Sequence, residues 1–300
     1  MDWLMRMNRA LDYIEMNLSD EIELAEVARK ACCSSHQFQR MFSFITNVTL
    51  AEYIRRRRLT LAAFELQNSD AKVIDIALKY GYESPVSFSR AFHMLHGVNP
   101  AIARQEGTAL KAYPRISFLI SIKGAEAMNY RIETKEALQI FGIERVFPIN
   151  GDGESVASPA EFWKESHANG EVERLAVHAG DLPSFLNKDL YKVHAVCSYR
   201  KTENDSFPYM LCAFKSDSSN ANGYTNITIP AHTWAVFSSD PFTWDSFDEI
   251  IETLYRRFFS EWLPTAGYEQ VDGMEFEIYG GRDGLNYVEL WFAVRKIALI

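Results

Sequence analysis

Several side chains in this 300-residue chain stand at spacings suited to a charged or polar ligand. Four consecutive arginines, Arg55-Arg56-Arg57-Arg58, cover one full helical turn. Arg40 and Arg90 hold equivalent places in two similar segments 50 residues apart. A guanidinium can grip a guanine edge through two hydrogen bonds, or it can grip phosphate, which positions without specifying. Near the end of the chain, Glu275, Glu277 and Tyr279 share one face of an alternating segment, and Glu289, Trp291 and Ala293 share a face of another. A carboxylate among aromatic rings suits a cation, because the charge pairs while the ring faces attract. The competing reading is a wet sheet face carrying solvated acids. The sequence has no nucleophile elbow and no phosphate loop, which points away from an enzyme. Cys32, Cys33, Cys197 and Cys212 show no C-x-x-C spacing and no nearby histidine pair, so no metal and no cofactor is expected. They read as reduced thiols of a cytoplasmic protein.

The elements that must position these groups fall into two sets. Residues 1–110 hold 13 basic and 13 acidic residues, which cancel; the other 18 and 27 carry the whole net charge of −9. A neutral domain can still present a basic face to phosphate. Residues 1–110 have three glycines and two prolines, the remainder twelve and eight. The first part reads as helices with short turns, the second as strands with a few helices. The expected division is 1–110, a linker 111–127, and 128–300. Ile116, Phe118, Ile120 and Ile122 alternate with Ser117, Leu119, Ser121 and Lys123, so the linker is expected to be partly strand-like and docked on a neighbour. No run of 18 apolar residues predicts a membrane helix. Asp2, Arg6, Arg9, Asp12 and Glu15 interrupt any signal-peptide core.

The first part repeats itself. Ala28 and Ala77 are 49 residues apart; Phe38/Phe88, Arg40/Arg90 and Phe42/Phe92 are each 50 apart. Each unit has the physics of a helix-turn-helix: a small residue where two helices cross, a turn four positions later, and a second helix opened by a cap. The turn residue is Gly81 in the second unit but Cys32 in the first, where the left-handed conformation suits glycine better. Ser34 or Ser35 caps one second helix; Ser84 with Pro85 at the first helical position opens the other. His36, Gln37, Gln39 and Arg40 fall on the face away from the core, as do Val86, Ser87, Ser89 and Arg90. A helix capped at Thr49 and running to about Asn68 joins the units, about 28 Å long, close to one DNA turn. Its arginine turn is either a solvated charged surface or a phosphate contact.

These segments resemble the DNA-binding domain of the AraC/XylS family. The likeness rests on Leu24 to Phe42, Glu52 to Leu59, Ile76-Ala77-x-x-x-Gly81-Tyr82-x-Ser84, Phe88-x-Arg90-x-Phe92 and Gly97-x-Asn99-Pro100. It implies duplex DNA, a promoter or operator, as partner, with RNA polymerase nearby. It places Ser35, His36, Gln37, Gln39 and Arg40 at one groove and Ser84, Pro85, Val86, Ser87, Ser89 and Arg90 at the next, with Arg55 and Arg57 between them. Pro85-Val86 departs from the polar residues common in relatives, and leaves a thymine methyl as the contact for Val86.

From Asn129 the chain reads as strands, a helix and strands, then the same again: an α+β fold with an antiparallel sheet. Ser158-x-x-Glu161 and Ser246-x-x-Glu249 read as capping boxes of its helices. Residues 128–297 are similar to the GyrI-like effector-binding domain, on Ile227-x-Ile229-Pro230, Trp234 to Phe237, Phe276 to Tyr279 and Tyr287 to Trp291. The likeness implies a small-molecule effector, lipophilic or cationic. It makes Glu277 and Glu289 pocket acids, and Trp163, Tyr209, Trp234, Tyr279 and Trp291 pocket walls. The domain order resembles the Rob-type regulators. Two other roles for the second part remain open at this level: a hydrolase in which Tyr279 pairs with Glu289, and a protein-interaction module.

Overall fold

The computed structural model describes residues 3–118, 128–148, 158–202 and 206–297, and the chain divides into two compact units, 1–122 and 123–300. Seven helices form the first: α1 (Trp3–Met16), α2 (Leu24–Ala31), α3 (Ser35–Thr46), α4 (Leu50–Asn68), α5 (Val73–Lys79), α6 (Pro85–His96) and α7 (Pro100–Ala103). Ser34, Thr49 and Ser84 each accept the backbone N–H three residues on, which opens α3, α4 and α6. Both turns are left-handed, Gly81 at φ +80° and Cys32 at φ +55°. Cys32 therefore takes the conformation its Cβ disfavours. Around the second helix-turn-helix, Leu59, Ala62 and Leu66 of α4 pack on Ile76, Ala77, Phe88 and Phe92.

Residues 111–118 form no strand. Their polar backbone groups are met by side chains of the helices instead. Tyr113 N donates to Thr60 Oγ1 (3.1 Å), Ile116 N to Tyr53 Oη (3.2 Å) and Phe118 N to Asn8 Oδ1 (3.0 Å). Phe118 is buried, with its ring against Trp3 and Phe42. The alternation expected here is thus a docked extended segment rather than a ladder; its continuation from 119 lies outside the described residues.

Among its described residues, the second unit is one eight-stranded sheet with three α-helices. Its elements are β1 (Tyr130–Lys135), β2 (Leu138–Pro148), α8 (Pro159–Ala168), α9 (Glu171–His178), β3 (His194–Cys197), β4 (Ser206–Phe214), β5 (Thr225–Ile229), β6 (His232–Ser238), α10 (Phe247–Arg257), β7 (Tyr268–Arg282) and β8 (Leu285–Lys296). The order is β1-β6-β8-β7-β3-β4-β2-β5, and every pairing is antiparallel. Two similar halves, β2-α8-α9-β3-β4 and β6-α10-β7-β8, meet where β3 pairs with β7. Ser158 and Glu161 form the full capping box of α8, whereas Ser246 makes no side-chain cap because a 3-10 turn, Trp244–Ser246, feeds α10. Past Arg257 the helix widens to a π-helical turn, Phe258–Trp262, whose Phe258 stacks on Phe292 at 3.6 Å.

Candidate functional site

Strand register decides which acids can share a site. Glu277 lies opposite Leu290, and Ile278 opposite Glu289. Directly opposed residues point to the same face, so Glu277 and Glu289 lie on opposite faces. The face of Glu277 also carries Phe292, which packs against Tyr255 and Phe258 of the α10 helix and its π turn. The other face carries Trp234, Trp291, Phe276 and Ile278 in a closed core.

On the Glu277 face a cavity of about 800 Å³ opens between α8, α9, α10, the segment ahead of β3 and Tyr279 of β7. Trp163, Tyr191, Val193, Trp244, Phe247 and Tyr279 supply most of its apolar wall. Glu277 lies one hydrogen bond behind that wall. The hydroxyls of Tyr209 (3.0 Å) and Tyr279 both donate to its Oε2, and Tyr255 donates to its Oε1 (3.2 Å). Trp163 Nε1 donates in turn to Tyr209 (2.9 Å), and Tyr255 also reaches Glu275 (2.7 Å). Burial, then the neighbouring Glu277 charge, pushes the Tyr209 and Tyr279 hydroxyls well above the usual phenol range. They stay protonated and can only donate to this carboxylate. Tyr279 is further fixed by its backbone N–H, which donates to His194 Nδ1 (3.2 Å).

Of the seven residues expected at an effector pocket, Trp163 and Tyr279 line this cavity, and Tyr209 and Glu277 are hydrogen-bonded to them behind its wall. Trp234, Glu289 and Trp291 do not join them, because a strand alternates its faces. Glu289 is instead held by Arg131 (2.8 and 2.9 Å), Ser238 (3.2 Å) and Trp291 Nε1 (2.8 Å). The Tyr279–Glu289 pair required for a hydrolase is not formed. Sequence reasoning passed over Tyr255, although its place on the apolar stripe of a strong helix marked it as core-facing. It also passed over Trp244, in the 3-10 turn, and Tyr191, which reads as the start of a strand but precedes β3.

In the first unit the two reading helices differ. Pro85, Val86, Ser87 and Arg90 of α6 are exposed, Val86 to 79%, while Ser89 is half-buried. On α3, His36, Gln37 and Gln39 are buried, at 6%, 8% and 8% exposure, and Ser35 and Arg40 are half-buried. Burial, with repulsion from Arg40, pushes the His36 imidazole down to about 2, so it is neutral. Three of the five α3 residues expected at one groove are therefore withdrawn from solvent, while Ser35 and Arg40 keep part of their surface.

The arginine turn is mostly spoken for within the unit. Arg57, expected at phosphate, is committed inside the unit. It forms a two-pronged pair with Glu15 (2.7 and 2.9 Å) and donates to the Tyr113 carbonyl (2.7 Å), both partners' side chains being only 11% exposed. Burial alone would raise the Glu15 carboxyl, but bonds from Arg57 and Tyr53 outweigh it and hold it below the usual range. Helical spacing turns position 57 toward α1, and the matching acid lies 42 residues upstream. Arg58 donates to the carbonyls of Leu18 (2.9 Å) and Asp20 (2.7 Å). Arg55 and Arg56 both bond Glu52 and keep about a third of their surface exposed.

The helix-turn-helix pairing, with its caps and left-handed turns, defines a DNA-binding transcription regulator of the AraC type. Residues 27–106 match the helix-turn-helix domain family. Residues 131–294, more than half of the chain, match the integron-associated effector binding protein family, and the chain belongs to it. The chain is 45% identical over 93 residues to the transposon Tn10 TetD protein of Escherichia coli, which covers 31% of this chain and 67% of that protein. It is 41% identical over 98 residues to the HTH-type transcriptional activator AarP of Providencia stuartii, covering 33% and 73%. Among solved structures, an integron cassette protein from Vibrio cholerae superposes with TM-score 0.35 at 13% identity, covering 55% of this chain and 95% of that one.

Proposed function

We propose that this regulator reads a promoter or operator through α6, joined by α3, and answers a small lipophilic cation taken up by the cavity of its second unit. The observation that carries the effector reading is the aromatic cavity backed by Glu277. A delocalised cation lying on the faces of Trp163 and Tyr279 gains from the rings, and the carboxylate behind Tyr279 enriches that ring further. The phenol donors keep Glu277 satisfied before a ligand arrives, so the empty site carries little penalty. For DNA, the exposure of Pro85, Val86, Ser87 and Arg90 supports α6 as the reader, with Ser84 and Ser89 beside them. Ser35, Arg40 and Arg55 retain enough exposure to join through phosphate; His36, Gln37 and Gln39 would read bases only once their face opens. Recruitment of RNA polymerase in the cytoplasm fits the likeness to an activator.

Calorimetric titration of the full chain with tetraphenylphosphonium tests the effector reading. Binding is expected, weakened about five- to tenfold by Glu277→Gln and abolished by Trp163→Ala. Equal binding by wild type and Glu277→Gln, or none at all, refutes it. An operator selected with the purified protein, then shifted with and without that cation, tests the link to DNA.

A further inference from the structure

The wall of the effector cavity carries charge of the sign least expected there. Lys164 of α8 and Lys192, just before β3, both line it, and both side chains are exposed. The second part of the chain has nine more acids than bases, so a lysine there has many acids to choose from. Among the described residues, neither lysine has one within 4 Å. The acids nearest in sequence are committed elsewhere. Glu161 accepts the Ser158 N–H in its capping box, Glu165 pairs with Arg145, Glu173 with His167, and Asp189 with Arg282. Asp248 also lines the cavity, but it sits in the first turn of α10, where a carboxylate answers the helix dipole. Lys164 lies mid-helix and Lys192 in an irregular segment, so neither has such a structural use.

We infer that Lys164 and Lys192 form an anion-binding mouth, and that the cavity takes an amphiphile whose apolar body lies on the aromatic wall while a carboxylate, sulfate or sulfonate group sits between the two ammonium groups. The inference rests on reading the cavity as an effector site, but not on the cation. Joined to the Glu277 reading, it describes a zwitterionic ligand with its basic end inward and its acid outward. An anionic head at the mouth keeps most of its hydration, and the lysines supply attraction without a desolvation penalty.

Two probes with one body separate the contributions: 1-decanesulfonate and 1-decanol, each below the concentration at which it self-associates. Binding to the full chain is followed by calorimetry. The sulfonate is expected to bind about three- to tenfold tighter than the alcohol, an advantage that vanishes in Lys164→Ala/Lys192→Ala and shrinks from about 50 to about 500 mM salt. Decanol binding should be the same in both proteins, which reports that the cavity is intact. Equal affinity for the two probes in wild type overturns the anionic mouth, as does a sulfonate advantage that survives the double substitution. Lysine-dependent sulfonate binding with no response to tetraphenylphosphonium upholds the mouth and removes the cation. Cation binding lost in Glu277→Gln, with no sulfonate advantage, does the reverse.

Discussion

Single residues separate structural from functional charge most clearly on α4. Four arginines in a row invite a phosphate reading, yet Arg57 is locked to Glu15 with both side chains nearly out of water. Removing one member of such a pair strands the other. Arg57→Ala is expected to cost the first unit about 3–5 kcal/mol in urea unfolding, whereas the exposed Arg90→Ala should cost under about 0.5. A loss below about 1 kcal/mol for Arg57→Ala would show the pair to be marginal. Cys32 offers the opposite case. It holds φ +55° at a turn where its counterpart is a glycine. Cys32→Gly should raise the unfolding free energy by about 1 kcal/mol by releasing that strain. An unchanged midpoint would mean that the glycine's extra freedom in the unfolded chain cancels the gain.

Elements were more legible in the sequence than the site they build. The caps at Ser34, Thr49, Ser84 and Ser158, the 19-residue α4 and the doubled helix-turn-helix follow from local chemistry, which a sequence carries directly. The cavity does not. Its walls come from α8, α9, α10, Tyr279 of β7, the segment around Tyr191 and the 3-10 turn at Trp244, brought together by the sheet order. Grouping Glu277 with Glu289 failed because alternation tells which residues of one strand agree, not which face of the next strand joins them; the register puts Glu289 across from Ile278. The burial of His36, Gln37 and Gln39 was likewise beyond an amphipathic pattern, which assigns a face but not what lies over it. At this scale the exposed α6 carries the DNA prediction. Arg90→Ala should weaken operator binding about tenfold and lower the salt slope by about one counterion. Unchanged slope and affinity in a mobility shift would exclude α6 Arg90 from the interface.

For the whole molecule, buried neutral histidines link stability to pH. Burial pushes His194 down to about 3, while its ordinary value in the unfolded chain is 6.5. Below pH 6.5 the unfolded chain therefore takes up a proton that the folded chain refuses. Stability of the second unit should fall as pH drops, by about 2 kcal/mol from this group between pH 7 and pH 5. His194→Asn, which can still accept the Tyr279 N–H through its amide oxygen, should flatten that dependence in urea titrations at the two pH values. A slope unchanged by the substitution would assign the effect to other groups. His36, pushed down to about 2, adds the same sense of dependence in the first unit.

The joint between β3 and β7 has a mechanical meaning. Three residue pairs, Ala195 with Glu277, Val196 with Phe276 and Cys197 with Glu275, make up the β3–β7 ladder, fewer than in any other strand pairing among the described residues, and the chain ahead of β3 adds a bridge from Leu190 to Gly280. The shortest ladder of the described sheet thus lies beside the cavity, whose wall includes Tyr279 of β7. Under the proposed function, a guest touching Trp163 on one half and Phe247 on the other would act as a rivet across it. Occupancy would then register as stiffness, with one bound molecule bracing two halves that share a short hem.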